Sequence, residues 1–190
     1  ADRRGLWTLS GEYEGGSTGL SFDTYEDRPM QERCLASSPA GPPMIPGPYN
    51  NNVQIFQTGD QVVLLNEMVH EQRFIPLDGR PRVASSIRMW MGSSRGRWDG
   101  DTLVVTTSNF KPMVFRSTSD RLTLTERFTR VDADTLLYEF TVDDPLTWTR
   151  PWTAQLPMTR NPDRLFEYAC HEGNYAIKNI LSAARVEDKR

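Results

Sequence analysis

Few side chains in this 190-residue chain are equipped to move a proton near neutral pH. There are two histidines, His70 and His171, and histidine is the side chain whose free pKa lies closest to pH 7. His70 falls in QVVLLNEMVHEQRF (61–74), where alternate residues of a strand point to opposite faces. Read as one strand, one face carries Val62, Leu64, Asn66, Met68, His70, Gln72 and Phe74. The other carries Val63, Leu65, Glu67, Val69, Glu71 and Arg73. The first face ends more apolar and is expected to place Asn66 and His70 inside. A bulge would reverse the assignment and turn Glu67 and Arg73 inward. In RLTLTERFTR (121–130), Glu126 shares its face with Leu122, Leu124 and Phe128. A buried carboxylate is costly unless paired or protonated, and burial raises its pKa, which suits a general acid or base. The structural alternative is an ion pair with an arginine inside the fold. His70, Glu126 and Asn66 together predict cofactor-independent acid–base chemistry of lyase, isomerase or hydrolase type on a small organic molecule, with Asn66 as an orienting or oxyanion-binding donor.

His171 and Glu172 sit between the last predicted strand and a helix. They form either an alternative catalytic pair brought together by a turn or a capping cluster at the helix start. His70, His171 and a carboxylate such as Glu67 or Glu126 would supply the three ligands of a divalent metal site. No HExxH or paired CxxC spacing supports one, so no cofactor is expected. Trp148, Arg150 and Trp152 alternate in TWTRPWT, an arrangement that stacks a cation between two rings or holds an aromatic or sugar ring. On the outer surface the same ladder merely stiffens a sheet. Tyr49 and Asn51 belong to YNNN, whose amides either bind a polar ligand or bond their own loop. There is no GxSxG elbow and no phosphate-binding glycine loop.

These residues must be held by strands. VQIFQT, QVVLLNEMVHEQRFIPL, SIRMWMG, RGRW, TLVVTTSNF, RLTLTERFTRV, TLLYEFTV, WTRPWTAQLPM and RLFEYAC are rich in β-branched and aromatic residues. Asp-Gly and Gly-Asp pairs or Asp132-Ala133-Asp134 separate several of them, as hairpins require. GLWTLSGEY (5–13) reads as a first strand, and 14–52 as an ordered Gly/Pro-rich loop crossing an open end of the fold. NYAIKNILSAARV (174–186) carries Ile177, Ile180, Leu181 and Ala184 at helical spacing, with Asn174 as N-cap. About nine strands joined mostly by hairpins predict one mainly β domain over 1–190. Its expected form is an antiparallel up-and-down barrel or strongly curved sheet, lipocalin-like by analogy, with one short C-terminal helix. A sandwich is the alternative topology.

Composition narrows the partners. Net charge is −3 and the arginines are scattered beside acids, so no nucleic-acid footprint is present. No apolar run approaches the length of a membrane span. The start at Ala1, without Met, fits removal of a signal peptide. Two cysteines, Cys34 and Cys170, are then expected to form one disulfide. Unpaired buried thiols are the alternative. Oligomeric state is left open.

Four segments together, GPPMIPGPYNNN (41–52), SRGRWDGDTLVV (94–105), ERFTRVDADTLLYEFTVDDPLTWTRPWT (126–153) and EYACHEGNY (167–175), resemble a large uncharacterised family of generally exported bacterial β-rich proteins. The resemblance covers roughly Arg33 to Arg185. It implies export to the periplasm or beyond and carries over no catalytic residue. Beside the enzyme stand two alternatives: an exported carrier or sensor for an apolar or aromatic ligand in a barrel interior, and a structural or assembly module using an edge near Trp148–Trp152.

Overall fold

The computed structural model describes residues 5–10, 21–37, 39–112, 115 and 118–189. Among them nine strands form a single antiparallel sheet: β1 (Gly5–Leu9), β2 (Asn52–Gln57), β3 (Gln61–Asn66), β4 (Gln72–Pro76), β5 (Ser93–Asp99), β6 (Thr102–Ser108), β7 (Thr123–Arg130), β8 (Thr135–Asp143) and β9 (Trp152–Arg160). Every strand pairs with its neighbour in sequence except β4 and β5. The sheet instead curls round through β1 and β9, where Trp7 stands opposite Arg160. The result is a nearly closed up-and-down barrel with one unladdered seam, between β4 and β5.

Alternation builds the interior. In β7 and β8 every second residue is buried, giving Leu124, Glu126 and Phe128 on one strand and Leu136, Tyr138, Phe140 and Val142 on the next. Burial of each large apolar side chain contributes about 1.5–3 kcal/mol, which is what holds the register against a one-residue slip. Tight turns at Thr58–Asp60, Gly100–Asp101 and Val131–Asp134 lie at one end of the barrel, with the start of β1 and the ends of β4 and β9. The opposite end is plugged. The proline-rich segment 39–51 crosses it, burying Ala40 and Met44, and Phe110 and Leu122 pack there too.

Where the β4–β5 ladder is missing, side chains close the gap. A Cβ at Gly96 would lie 2.7 Å from both Ile75 Cγ2 and Leu77 Cδ2, so the bare backbone of β5 lets these β4-side residues pack directly on it.

Several sequence expectations change. The segment 61–77 is two strands, because Met68–His70 forms a 3₁₀ turn with Val69 and His70 at φ 53° and 54°. After that turn Arg73 and Ile75 are buried, whereas Gln72 and Phe74 are exposed. SIRMWMG forms no strand beyond a single bridge from Met89 to Phe110. RLFEYAC forms none, and β9 starts only at Trp152, after Pro151. The helix, α1, spans Ala176–Glu187 without a side-chain cap, and the Asn174 amide donates to the Glu32 carbonyl instead. Cys34 and Cys170 form the expected disulfide, with Cα atoms 5.8 Å apart, tying the early loop to the segment before α1. The predicted strand end 11–13, the loop start 14–20 and Ser38 lie outside the described residues. No helix among the described residues is long and apolar enough to cross a membrane.

Candidate functional site

The turn-bearing end of the barrel opens into a cavity of about 770 Å³. Its walls are Trp7 from β1, Ile55 from β2, Val62 and Leu64 from β3, Leu103 from β6, and Phe128 and Leu136 from the β7–β8 hairpin. Each occupies an inward position of its strand, so the apolar wall follows directly from the alternation. Trp98, half-exposed, and the polar residues Gln57, Asp101, Arg130, Asp132 and Arg160 form the rim. The Arg130 guanidinium lies 5.8 Å from the centre of the Trp7 ring and donates to the Asp132 and Ala133 carbonyls. Asp132 accepts the Asp134 amide at 2.8 Å, a bond that holds its carboxyl below the usual range.

Beyond the cavity lies a buried polar cluster. Phe128 in the cavity wall packs on Tyr138, with ring centroids 4.9 Å apart. The Tyr138 hydroxyl accepts the Met44 amide at 3.0 Å and donates to Glu126 Oε1 at 2.8 Å. Arg73 Nη2 donates to the same oxygen at 2.9 Å. Burial, then the Glu126 charge, pushes the Tyr138 phenol far above its ordinary pKa, so it serves only as a neutral donor and acceptor. Glu126 is fully buried and Arg73 nearly so. Glu126 Oε2, Arg73 Nη1 and Asn66 Oδ1 are buried with no hydrogen-bond partner among the described residues.

A second opening, of about 510 Å³, is a slit at the β4–β5 seam. Arg73, Phe74, Met89, Trp90 and Ser94 are among the residues that line it. Half-buried Glu71 stands at its edge, its carboxyl raised by burial.

Of the residues the sequence singles out, Glu126 and Asn66 are inside, but His70 is exposed at the plugged end, opposite the mouth. The left-handed turn at Val69–His70 reverses the parity that would have carried it inward, so His70 does not join Glu126. Arg73 takes the inward place. Glu67 is buried outside the barrel wall, where its carboxylate accepts from Asn52 Nδ2 and from the Phe166 amide. His171 and Glu172 are both exposed. Among the described residues no three His, Cys, Asp or Glu side chains converge as metal ligands.

Trp148 and Trp152 meet edge to face at 5.7 Å, both against Phe115, and Arg150 is exposed beside them rather than stacked between. The chain bends before Pro151, so the three residues do not share a strand. The Asn51 side chain bonds both the amide and the carbonyl of Gly47, within its own loop, and Tyr49 is exposed near Tyr168. Arg73 was legible as the inward residue of the bulged alternative, and Tyr138 only as a tyrosine in a β segment. Their meeting with Glu126 needs three strands and the plug loop. Compared with known proteins, the chain matches no protein-family model and no curated sequence.

Proposed function

We propose that this barrel is an exported carrier or sensor that holds an apolar or aromatic molecule in its open mouth. The observation that carries the reading is the cavity itself: about 770 Å³, walled by Trp7, Ile55, Leu103, Phe128 and Leu136 and rimmed by a few polar groups. Binding pockets for small molecules have this size and this mix of apolar wall and sparse polar rim. Export is supported by the Cys34–Cys170 disulfide, since such bonds persist in oxidising compartments. A neutral solvatochromic dye such as Nile red should bind with a blue shift, and Ile55→Trp, which fills the mouth, should abolish it. A dye that binds both proteins alike, or neither, sinks the reading.

A second reading, acid–base catalysis, is supported by Glu126 Oε2 and Arg73 Nη1, a carboxylate oxygen and a guanidinium nitrogen buried in the core without a partner among the described residues. One assay separates the two. A molecule bound by the protein is recovered after prolonged incubation and weighed by mass spectrometry. An unchanged mass supports the carrier, and conversion that disappears in Glu126→Gln supports the enzyme.

A further inference from the structure

We propose that the mouth takes an amphipathic anion: an apolar body carrying a carboxylate, sulfonate or phosphate head, with the head seated beside Arg130. The proposal rests on the reading of the mouth as a ligand cavity and names the class of ligand it selects.

Strand register puts two arginines at the top of the cavity wall. Arg130 ends β7 opposite Leu136, and Arg160 ends β9 opposite Trp7. Leu136 and Trp7 belong to the apolar wall, and directly opposed residues share a face, so both arginines occupy inward positions of their strands. Both line the cavity. One inward step deeper, Phe128 and Met158 are buried. The wall thus changes from apolar to cationic within one step toward solvent.

Arg130 is set for an anion before one arrives. Its Nε donates to the Asp132 carbonyl at 3.0 Å and its Nη2 to the Ala133 carbonyl at 2.8 Å. These two bonds, with the Trp7 ring centre 5.8 Å from the guanidinium, fix the cation over the cavity wall. Nη1 enters neither bond. Among the described residues no carboxylate forms an ion pair with Arg130. A side chain already ordered in this way loses little freedom when a ligand binds.

The acids of the rim are placed differently. Asp132 is engaged in its own hairpin, where it accepts the Asp134 amide at 2.8 Å. Asp134 faces Arg160 Nη1 at 3.9 Å, and both side chains are exposed, so that contact contributes little and yields readily. Asp101, in the β5–β6 turn, is the remaining acid of the lining, and its short side chain reaches less far over the cavity than an arginine's. A head group at Arg130 leaves the attached body against Trp7, Phe128 and Leu136, so one molecule satisfies both parts of the cavity.

The test compares one ten-carbon tail with three heads: decanoate, decanol and decylammonium. Each is titrated below its micelle concentration and followed by the chemical shifts of the Trp7 and Trp98 indole N–H groups. Decanoate should bind roughly tenfold or more tightly than either other head, as a charge-assisted bond to a fixed guanidinium implies. Added salt should shrink that lead. The lead should vanish in Arg130→Gln and persist in Arg121→Gln, which removes an equal, exposed charge near the plugged end. Melting curves check that both variants fold. Three results overturn the proposal while leaving the mouth a binding site: decanol binding as tightly as decanoate; decylammonium binding best, which gives the rim to Asp101; or a lead that survives Arg130→Gln. If no tail binds, the proposal falls too, and Nile red with its Ile55→Trp control then decides separately whether the carrier reading falls with it.

Discussion

Arg73 on β4 donates to Glu126 on β7 at 2.9 Å, through the barrel interior and across the one seam that has no ladder. In the sheet these strands are six places apart by the hydrogen-bonded route, but only β5 and β6 lie between them on the seam side. The pair therefore ties the β4 edge to β7, two strands in from the β5 edge. Removing one partner strands a buried charge. Glu126→Leu or Arg73→Met alone should cost about 3–5 kcal/mol, whereas the two together should lie within about 1 kcal/mol of the native protein or above it. Urea unfolding of the four proteins completes the cycle, and two single effects that simply add would refute the coupling.

Tyr138 joins this pair to the plug. Its hydroxyl is the partner of the Met44 amide and of Glu126 Oε1. Tyr138→Phe keeps the ring against Phe128 and Phe140 but leaves a buried N–H unmatched, at a cost of about 1–3 kcal/mol. Limited proteolysis should then cut within 39–51 sooner than in the native protein, with the strands still protected.

Acid should loosen the plugged end in a defined direction. Burial pushes the Asp144 carboxyl up, but the Ser119 hydroxyl and amide, both at 2.6 Å, with the Thr147 hydroxyl and Leu146 amide, outweigh it and hold it below its ordinary 3.8. A depressed folded pKa gives stability that is present above the unfolded value and lost as pH falls through the folded one. Asp144→Asn should thus be less stable than the native protein at pH 7, with the gap narrowing below about pH 4. Glu71 behaves oppositely. Its raised pKa means that ionisation opposes folding as pH climbs past 4.5, so Glu71→Gln should raise the melting temperature at pH 7 and change it little at pH 4. Melting curves across this range check both signs.

Reduction of Cys34–Cys170 should destabilise by about 2–5 kcal/mol, because the bond closes a loop spanning 136 positions in the unfolded chain. The effect should concentrate on α1, which has no buried residue of its own and rests on the early segment, where Arg185 bonds the Phe22 and Asp23 carbonyls. Hydrogen exchange with and without reductant should show α1 opening first and β6–β8 unchanged.

Alternation and turn chemistry made much of this molecule legible. Leu122, Leu124, Glu126 and Phe128 are buried as their spacing requires, and the hairpin at Asp132–Asp134 lies where the aspartates put it. The cysteine pairing followed from there being two. Tertiary structure alone decided the site. Valine is a poor candidate for a left-handed turn, yet Val69 adopts φ 53° because the chain must reverse between β3 and β4. That reversal changes parity, sends His70 to solvent and brings Arg73 to Glu126. Nor do residue types say which end of a barrel is plugged. Met44 fills one end because Tyr138, 94 residues later, presents a hydroxyl to its amide. Local periodicity determines which face of a strand is buried, while the partners that meet inside depend on closure of the whole sheet.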